Sequence, residues 1–188
     1  MKIDKRGAWQ GLDCDKFHVH DSALCSAIFN FLDKKKCSSL ADVGCGEGKY
    51  VKYFMSKGLN AEGFDGNLKT KEISKGLCST FDFSKPAKKF KKYDWVLSLE
   101  VGEHIPREYE SVFMQNLNQL NTKGMILSWA VEGQSGKGHY NCRNNSYIIE
   151  KFVSMGYKYC EKDSMHLRQS SKAKWFKNTI MVFEKLNH

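Results

Sequence analysis

Three glycines at alternate positions, Gly44, Gly46 and Gly48, form the part of the sequence best suited to holding a ligand. Glycine lets the backbone turn sharply and approach a bound group closely. Residues 40–43 before them have the apolar composition of a buried strand, and residues 49–57 after them carry apolar side chains at helical spacing. A strand, a glycine turn and a helix start direct unpaired backbone N–H groups at a ligand, as in dinucleotide and anion sites. The glycine spacing differs from that of nicotinamide-binding and P-loop motifs.

Carboxylates follow two further strand-like segments. Residues 59–65 end at Asp65, which lies 21 residues after Gly44. An acid about 20 residues after such a glycine turn is placed to hydrogen-bond a ribose. Residues 93–100 form another apolar run, which ends at Glu100. Because ligands of open α/β sheets bind outside the carboxyl ends of the strands, we expect the glycines, Asp65 and Glu100 to meet at one site.

Two histidines are candidates for accepting a proton from a substrate. His104 follows the strand-like run that ends at Glu100, and Glu103 is placed to orient its ring. His139 lies in the glycine-rich loop 133–142, and loops of this kind often carry binding residues. Imidazole is the commonest general base near neutral pH, so we predict catalytic roles for His104 and His139. The structural alternatives are packing or capping by His104 at a helix start and an ordinary surface connection around His139.

The order of these segments resembles that of the class I S-adenosylmethionine-dependent methyltransferases. Asp42-Val43-Gly44-Cys45-Gly46-Glu47-Gly48 looks like the first motif of that family, and Asp65 looks like its ribose-binding acid. Leu99-Glu100-Val101-Gly102-Glu103-His104-Ile105-Pro106 looks like the segment that follows its fourth strand. Residues 127–142 also resemble a subgroup of small methyltransferase-domain proteins. The resemblance implies S-adenosylmethionine as cofactor and a transferase of EC class 2.1.1.

The resemblance also implies which residues contact the cofactor. An acid at the position of Asp82 takes the adenine amino group in related enzymes, and the side chain after it, here Phe83, often packs on the ring. A turn aspartate and a core phenylalanine are the equally open alternatives. The complete set of cofactor-binding residues predicted in this way is Asp42, Gly44, Cys45, Gly46, Asp65, Gly66, Asn67, Asp82, Phe83, Leu99 and Glu100.

Strand-like and helical segments alternate along the chain without an internal repeat, which indicates an α/β fold with a mainly parallel sheet. The resemblance supplies the finer topology: a three-layer, Rossmann-like methyltransferase fold whose seven-stranded sheet has one antiparallel strand and helices on both faces. We expect Pro106 in the first turn of a helix and a strand over 125–131. We predict one domain over 1–188, in which residues 1–20 form a possible lid over the cofactor.

The acceptor of the methyl group is expected on the side of the sheet edge that the cofactor leaves open. We predict that loop 131–142 closes there together with the N-terminal arm around His18 and His20. His20 is a candidate substrate contact, and Trp129 or Tyr140 would supply an aromatic wall. Cys45 and Cys142 have no histidine partner defined in the sequence, so we interpret them as small buried residues rather than nucleophiles.

The sequence departs from two patterns of macromolecular methylation. No Asn-Pro-Pro-Tyr type tetrapeptide follows the fourth strand, and no Pro-Cys pair supplies the nucleophile of cytosine-C5 enzymes. These departures favour transfer to an oxygen or nitrogen atom of a small molecule. The alternatives are a nucleic-acid methyltransferase and a nucleic-acid-binding module on a methyltransferase scaffold.

Composition limits the possible partners and the location. The net charge is +9, from 30 basic and 21 acidic residues, with lysine clusters at 34–36 and 85–92. Such clusters either bind a polyanion or form a solvated surface, and we favour the second interpretation because charge alone mainly sets solubility and steering. No apolar run reaches the ~20 residues of a membrane span, and no signal peptide is evident. Seven cysteines without a Cys-x-x-Cys pair indicate reduced thiols and a cytoplasmic location and argue against a structural zinc site, and we predict no metal ligand.

Overall fold

The computed structural model describes residues 2–13, 19–87 and 90–186 of the 188-residue chain. The strands are β1 (Lys2–Ile3), β2 (Trp9–Gln10), β3 (Ser39–Val43), β4 (Asn60–Asp65), β5 (Ser79–Thr80), β6 (Tyr93–Ser98), β7 (Asn121–Leu127), β8 (Tyr157–Tyr159) and β9 (Met181–Lys185). The helices are α1 (Ser22–Lys34), α2 (Lys49–Ser56), α3 (Thr70–Ile73), α4 (Glu110–Leu120), α5 (Asn145–Ser154), α6 (Glu161–Ser170) and α7 (Phe176–Thr179). Two 3₁₀ turns, Gly102–His104 and Arg107–Tyr109, lie between β6 and α4.

Seven strands form one sheet in the order β5-β4-β3-β6-β7-β9-β8, and β1 and β2 form a separate hairpin. Strand β9 runs antiparallel to both of its neighbours, whereas β3 to β7 pair in parallel. The predicted α/β fold with a mainly parallel seven-stranded sheet is therefore confirmed. The strand order changes direction between β3 and β6, and in open α/β sheets a crevice for ligands opens at the carboxyl ends of strands at such a point.

Alternating side chains of the central strands supply two buried layers. On β6, Trp95 and Leu97 belong to the cluster formed with α1, α2 and α6, whereas Val96 belongs to the cluster formed with α4 and α5. Within the first cluster, the ring centroids of Phe31 on α1 and Trp95 lie 5.1 Å apart in an edge-to-face contact. Burial on both faces explains why the central strands are nearly continuous apolar runs.

The observed elements differ from the expected ones in several places. Pro106 has an extended backbone and precedes the second 3₁₀ turn, so α4 begins only at Glu110. Strand β7 covers Asn121–Leu127 rather than 125–131, because its first residues are polar and the chain leaves the sheet after Leu127. Helix α6 has no counterpart in the prediction, since only Ser164 and Leu167 of its ten residues are buried and the apolar period is correspondingly weak.

Asp21 fixes the start of α1 and ties it to the segment before α7. Its side chain accepts hydrogen bonds from Leu24 N (3.0 Å), Ser171 Oγ (2.7 Å), Lys172 N (2.6 Å) and Ala173 N (2.9 Å). Burial by itself raises the pKa of this carboxyl, but the four hydrogen bonds outweigh it and lower the pKa to about 2. Asp21 is thus both the cap of α1 and a connection between distant parts of the chain.

We expect Asp21→Ala to lower the free energy of unfolding by about 3 kcal/mol, because several buried donors lose a charged acceptor together. Since the folded pKa lies below the unfolded one, this contribution is present above about pH 4 and is lost as the pH falls towards 2. Urea denaturation at pH 7 and pH 3 measures both effects. Asp33→Ala, on the exposed side of α1, is the control; equal losses in the two variants would contradict the assignment.

Candidate active site

A cavity of about 440 Å³ opens at the carboxyl ends of β3, β4 and β6, within the size range of small-ligand sites. All of the predicted cofactor residues line it: Asp42, Gly44, Cys45, Gly46, Asp65, Gly66, Asn67, Asp82, Phe83, Leu99 and Glu100. The two histidines predicted to be catalytic and the predicted substrate residue His20 line the same cavity. The structure therefore brings residues from the N-terminal arm, the glycine turn and the loop after β7 to one place.

The glycine turn after β3 leaves the space that a cofactor of this class requires. Gly44 has a φ of 81°, and a Cβ atom there would lie 2.2 Å from a methyl carbon of Val101. The Asp65 carboxylate accepts hydrogen bonds from Gly46 N and from Asn67 N, each at 2.9 Å. Asp65 thus holds the two loops that follow β3 and β4 in fixed relation, with its carboxylate on the cavity. A left-handed glycine turn beside a strand-end carboxylate fits S-adenosylmethionine.

Asp42 lies at the end of β3 and is almost fully buried. Burial and the nearby charge of Asp65 raise the pKa of Asp42 to about 8. Its carboxyl group is therefore mostly protonated at neutral pH. In that state it adds no second negative charge beside Asp65.

Asp82 and Phe83 are held mainly by the protein itself. Asp82 accepts a hydrogen bond from Ser84 N at 3.0 Å and forms ion pairs with Arg6 Nε (3.8 Å) and Lys85 Nζ (3.4 Å). Phe83 is buried, and its ring contacts that of Phe81 edge to face at 4.7 Å between centroids. Asp82 is therefore a turn aspartate and Phe83 a core phenylalanine, which are the structural alternatives given in the sequence analysis. Both residues also line the cavity.

Glu100 follows β6 in an uncommon conformation. Its φ is +53°, which a non-glycine residue adopts only when its surroundings impose it. The carboxyl group accepts hydrogen bonds from Ser128 Oγ (2.8 Å) and Gln134 Nε2 (3.2 Å). Burial raises the pKa of Glu100, and these hydrogen bonds offset the effect only in part. The constraint places Glu100 between the cofactor end of the cavity and the loop after β7.

His104 and His139 meet although 35 positions separate them in the sequence. Their ring centroids lie 5.1 Å apart with an interplanar angle of 79°. His104 lies in the first 3₁₀ turn rather than at a helix start, and the Trp9 ring packs against it edge to face at 5.3 Å. Two imidazoles from different loops therefore face the same space.

Glu103 stands directly behind this pair. Its side chain has no exposed surface, and its carboxylate lies within 4.8 Å of a ring nitrogen of His104 and of His139. Burial and then the charge of Glu100 raise the pKa of Glu103 well above its usual value. Its proximity to His104 agrees with the orienting role expected from the sequence.

The N-terminal hairpin covers one side of the cavity. A Cβ atom at Gly7 would lie 1.8 Å from the carbonyl oxygen of His104, so the hairpin backbone presses directly on the 3₁₀ turn. Gln10 donates a hydrogen bond to the carbonyl of Gly66 at 3.1 Å, and Asn67 donates one to that of Gly11 at 2.9 Å. His18, predicted as part of this arm, lies outside the described residues.

His20 packs edge to face on Tyr50, with ring centroids 5.0 Å apart. Burial, followed by the charge of Lys49, lowers the pKa of His20. The ring is therefore neutral at physiological pH. It presents a polar but uncharged group to the cavity.

The expected aromatic wall of Trp129 or Tyr140 is not found. Trp129 is 1% exposed, packs its ring over Gly102 and donates from Nε1 to the carbonyl of Asn141 at 2.6 Å. It is a core residue that supports the 3₁₀ turn from behind. Tyr140 is 55% exposed and lines a separate shallow depression beside Arg107. Trp9 supplies an aromatic surface beside His104 instead.

Neither cysteine near the site has the character of a nucleophile. The Cys78 thiol and burial raise the pKa of Cys45 well above its usual value. Cys142 Sγ lies 3.7 Å from His139 Nδ1, a contact that the sequence did not indicate, but burial and the charges of Glu103 and Glu100 raise the pKa of Cys142. Both side chains therefore stay protonated as thiols. A nucleophilic cysteine needs the thiolate form, so neither residue is suited to that role.

Several cavity residues had no signal in the sequence. Arg6 and Trp9 come from an arm without periodicity, Gln134 from a loop chosen for its glycines, and Phe176 from the short helix α7. Each reaches the cavity through a contact between segments far apart in the chain.

Comparison with known proteins assigns the family. A family model described as a methyltransferase domain matches residues 17–141. No curated protein matches the chain. Among the described residues, no helix combines the length and apolar character needed to cross a membrane.

Solved structures with the same fold include three methyltransferases of low sequence identity. Magnesium protoporphyrin IX methyltransferase from Synechocystis PCC 6803, crystallised with S-adenosylhomocysteine, has a TM-score of 0.62 and 18% identity, over 86% of this chain and 82% of that one. The putative methyltransferase bound to the Trm112 activator in Haloferax volcanii has a TM-score of 0.60 and 11% identity, over 91% and 100%. The small RNA methyltransferase HEN1 has a TM-score of 0.65 and 13% identity, over 87% and 25%.

The family model covers well over half of the chain, and the fold and the glycine turn agree with it. S-adenosylmethionine is the cofactor that the sequence implied and that this family uses. The chain therefore belongs to the methyltransferase-domain family and is a class I S-adenosylmethionine-dependent methyltransferase.

Proposed function

We propose that this methyltransferase acts on an oxygen or nitrogen atom of a small molecule. The observation that carries the proposal is the closure of the cavity over His104 by two loops that also contact each other. A Cβ atom at Gly138 would lie 2.6 Å from the Ile3 side chain of the hairpin and 3.3 Å from His104. Such a covered space admits a compact acceptor more readily than a polymer strand.

The cofactor would be held by Gly44, Gly46 and Asp65, with Glu100 beside them. When bound, S-adenosylmethionine supplies an activated methyl group, so the protein mainly needs to align the acceptor and exclude water. The hairpin and the loop after β7 would exclude water. His104 and His139 would bind the acceptor and receive its proton if it arrives protonated.

The nucleic-acid alternative has weaker support. The small RNA methyltransferase among the structural neighbours and the net charge of +9 favour it. However, lysines of both clusters are already paired: Lys35 with Glu184 and Lys91 with Glu62. Lys85 is paired with Asp82 at 3.4 Å. Paired lysines leave less positive potential for a phosphate backbone. Magnesium protoporphyrin IX methyltransferase shows by its name that a neighbour with this fold takes a small acceptor.

Labelling in cell extract tests the acceptor class. The full chain is incubated with methyl-labelled S-adenosylmethionine and extract, and the products are separated into small molecules, protein and nucleic acid. We expect label in the small-molecule fraction, dependent on the chain and absent with Asp65→Ala. Label confined to nucleic acid, together with binding of RNA or DNA that falls steeply with salt, would contradict the proposal.

A further inference from the structure

The acceptor end of the cavity contains a set of groups that could hold a metal ion. A carboxylate oxygen of Glu103 and one ring nitrogen each of His104 and His139 all lie within 4.8 Å of one another. The three residues come from the turn after β6 and the loop after β7. Two imidazoles and one carboxylate form a ligand set found in catalytic zinc sites and in other divalent transition-metal sites.

Among these three residues, Glu103 gives the strongest indication that the set binds a cation. It is fully buried, and its carboxyl group interacts with the Glu100 carboxyl group and the Ala130 backbone without a hydrogen bond of standard geometry to any described residue. Burying two carboxyl groups side by side without a cation is costly, and proteins normally pair such groups with a cation or use them to coordinate a metal. The backbone holds it in place, because the carbonyl of Glu103 accepts hydrogen bonds from Tyr140 N and Asn141 N, each at 2.9 Å.

The two histidines are oriented as metal-binding histidines usually are. His104 Nδ1 lies 2.9 Å from the carbonyl oxygen of Gly138, and His139 Nδ1 lies 3.1 Å from that of Gln134. A carbonyl can only accept, so each Nδ1 carries the hydrogen and Nε2 carries the lone pair in the neutral ring. Metal-binding histidines almost always donate their second ring N–H to a carbonyl or carboxylate in this way.

A second group of possible metal ligands contains no carboxyl group as deeply buried as that of Glu103. Cys160, Asp163 and Glu184 also lie within reach of one another. There, however, Glu184 already forms an ion pair with Lys35 at 2.5 Å. That carboxylate is satisfied without a metal ion, so of the two groups found among the described residues, the one at the cavity points to a metal ion.

We propose that Glu103, His104 and His139 bind one divalent transition-metal cation, with a coordination position directed at the acceptor. The inference rests on the proposed function for the identity of the acceptor, and it departs from the sequence analysis, which predicted no metal. A cation here would bind the acceptor oxygen or nitrogen and make its proton easier to lose. It would also neutralise the buried Glu103.

Metal binding is tested directly with Mn²⁺ on the full chain. Mn²⁺ is chosen because thiolates bind it poorly, so that the cysteines do not compete. After treatment with EDTA and dialysis, calorimetry should show one Mn²⁺ site per chain, and Mn²⁺ should raise the thermal midpoint by at least about 4 °C at saturation. Glu103→Gln and His139→Ala should weaken binding by at least about tenfold, since even outer-shell changes at metal sites cost 10–100-fold.

The control is Glu108→Gln, the same change at an exposed position five residues away, which should bind Mn²⁺ as the wild type does. Glu103→Gln should leave the thermal midpoint of the metal-free protein unchanged or higher, because it removes an ionisable group that is buried beside the Glu100 carboxyl group. A purely structural Glu103 would give a lower midpoint and the same Mn²⁺ affinity as wild type. That result, or the absence of Mn²⁺ binding by the wild type, would overturn the inference.

The outcomes separate this inference from the proposed function. If methyl label enters small molecules at the same rate with EDTA as with Mn²⁺, the histidines act without a metal and only the metal site is wrong. If Mn²⁺ binds as described while label enters only nucleic acid, the metal site stands and the proposed acceptor class is wrong.

Discussion

Replacing His139 with alanine is expected to lower the rate of methyl transfer by about 10²–10⁴-fold. The ring faces His104 at 5.1 Å in the acceptor part of the cavity, so its loss removes either a proton acceptor or a ligand of a cation that binds the acceptor. Affinity for S-adenosylhomocysteine should stay within about twofold of wild type, because His139 lies in the loop after β7, whereas the glycine turn and Asp65 lie at the ends of β3 and β4. Initial rates with the acceptor found by labelling, together with an inhibitor titration, measure the two quantities.

The matched control is His166→Ala, which removes an exposed imidazole from α6 and should leave both quantities unchanged. A loss of rate below threefold in His139→Ala would show that His139 takes no part in methyl transfer. An equal loss of cofactor affinity would instead identify loop 133–142 as a cover for the cofactor. Gly136 offers an independent check: a Cβ atom there would lie 2.1 Å from His139 Nε2, so Gly136→Ala should displace the ring and lower the rate in the same way.

Replacing Asp65 with alanine is expected to weaken cofactor binding by about 1.5–3 kcal/mol, or roughly 10–150-fold. The carboxylate would lose its charge-assisted bonds to the ribose, and the glycine turn would lose the 2.9 Å hydrogen bond from Gly46 N. Asp65→Asn keeps one acceptor oxygen, so its cofactor affinity should lie between those of the wild type and Asp65→Ala. Equilibrium dialysis with labelled cofactor measures all three proteins.

Asp33→Ala serves as the control, since this aspartate is exposed on α1. Unchanged affinity in Asp65→Ala would show that the cofactor does not reach the end of β4. The fold of the variant is checked by its thermal midpoint, which should fall only slightly because the carboxylate is partly exposed.

The sequence was most informative where function depends on local backbone. Gly44, Gly46 and Asp65 follow directly from strand ends, and their roles depend on φ angles and on a fixed separation along the chain. The central strands could also be predicted, because burial on both faces makes them continuous apolar runs. For the same reason the apolar run predicted over 93–100 includes all of β6, Tyr93–Ser98.

What the sequence did not indicate depends on contacts between distant segments. Trp9 packs on His104, and Arg6 pairs with Asp82, only because the N-terminal hairpin folds over the sheet edge. Trp129 was predicted to line the acceptor site. Because Gly102 has no side chain, the Trp129 ring packs against it inside the core instead. Helix α6 buries too few side chains to show a helical period.

The placement of Glu103 is the clearest example of this limit. From the sequence it could only be assigned a supporting role beside His104. Its burial, its position beside the Glu100 carboxyl group and its distance to His139 become visible only when the loop after β7 is folded back. No local pattern separates a metal ligand from an orienting carboxylate at this position.

A calorimetric titration of the full chain with S-adenosylhomocysteine tests the central claim most directly. The cavity at the ends of β3 and β4 predicts a single site per chain, with a heat of binding that is strongly reduced in Asp65→Ala and unchanged in Asp33→Ala. Saturable binding with that pattern of variants is the result we expect. No heat of binding and no competition with labelled S-adenosylmethionine in the wild-type chain would contradict the account.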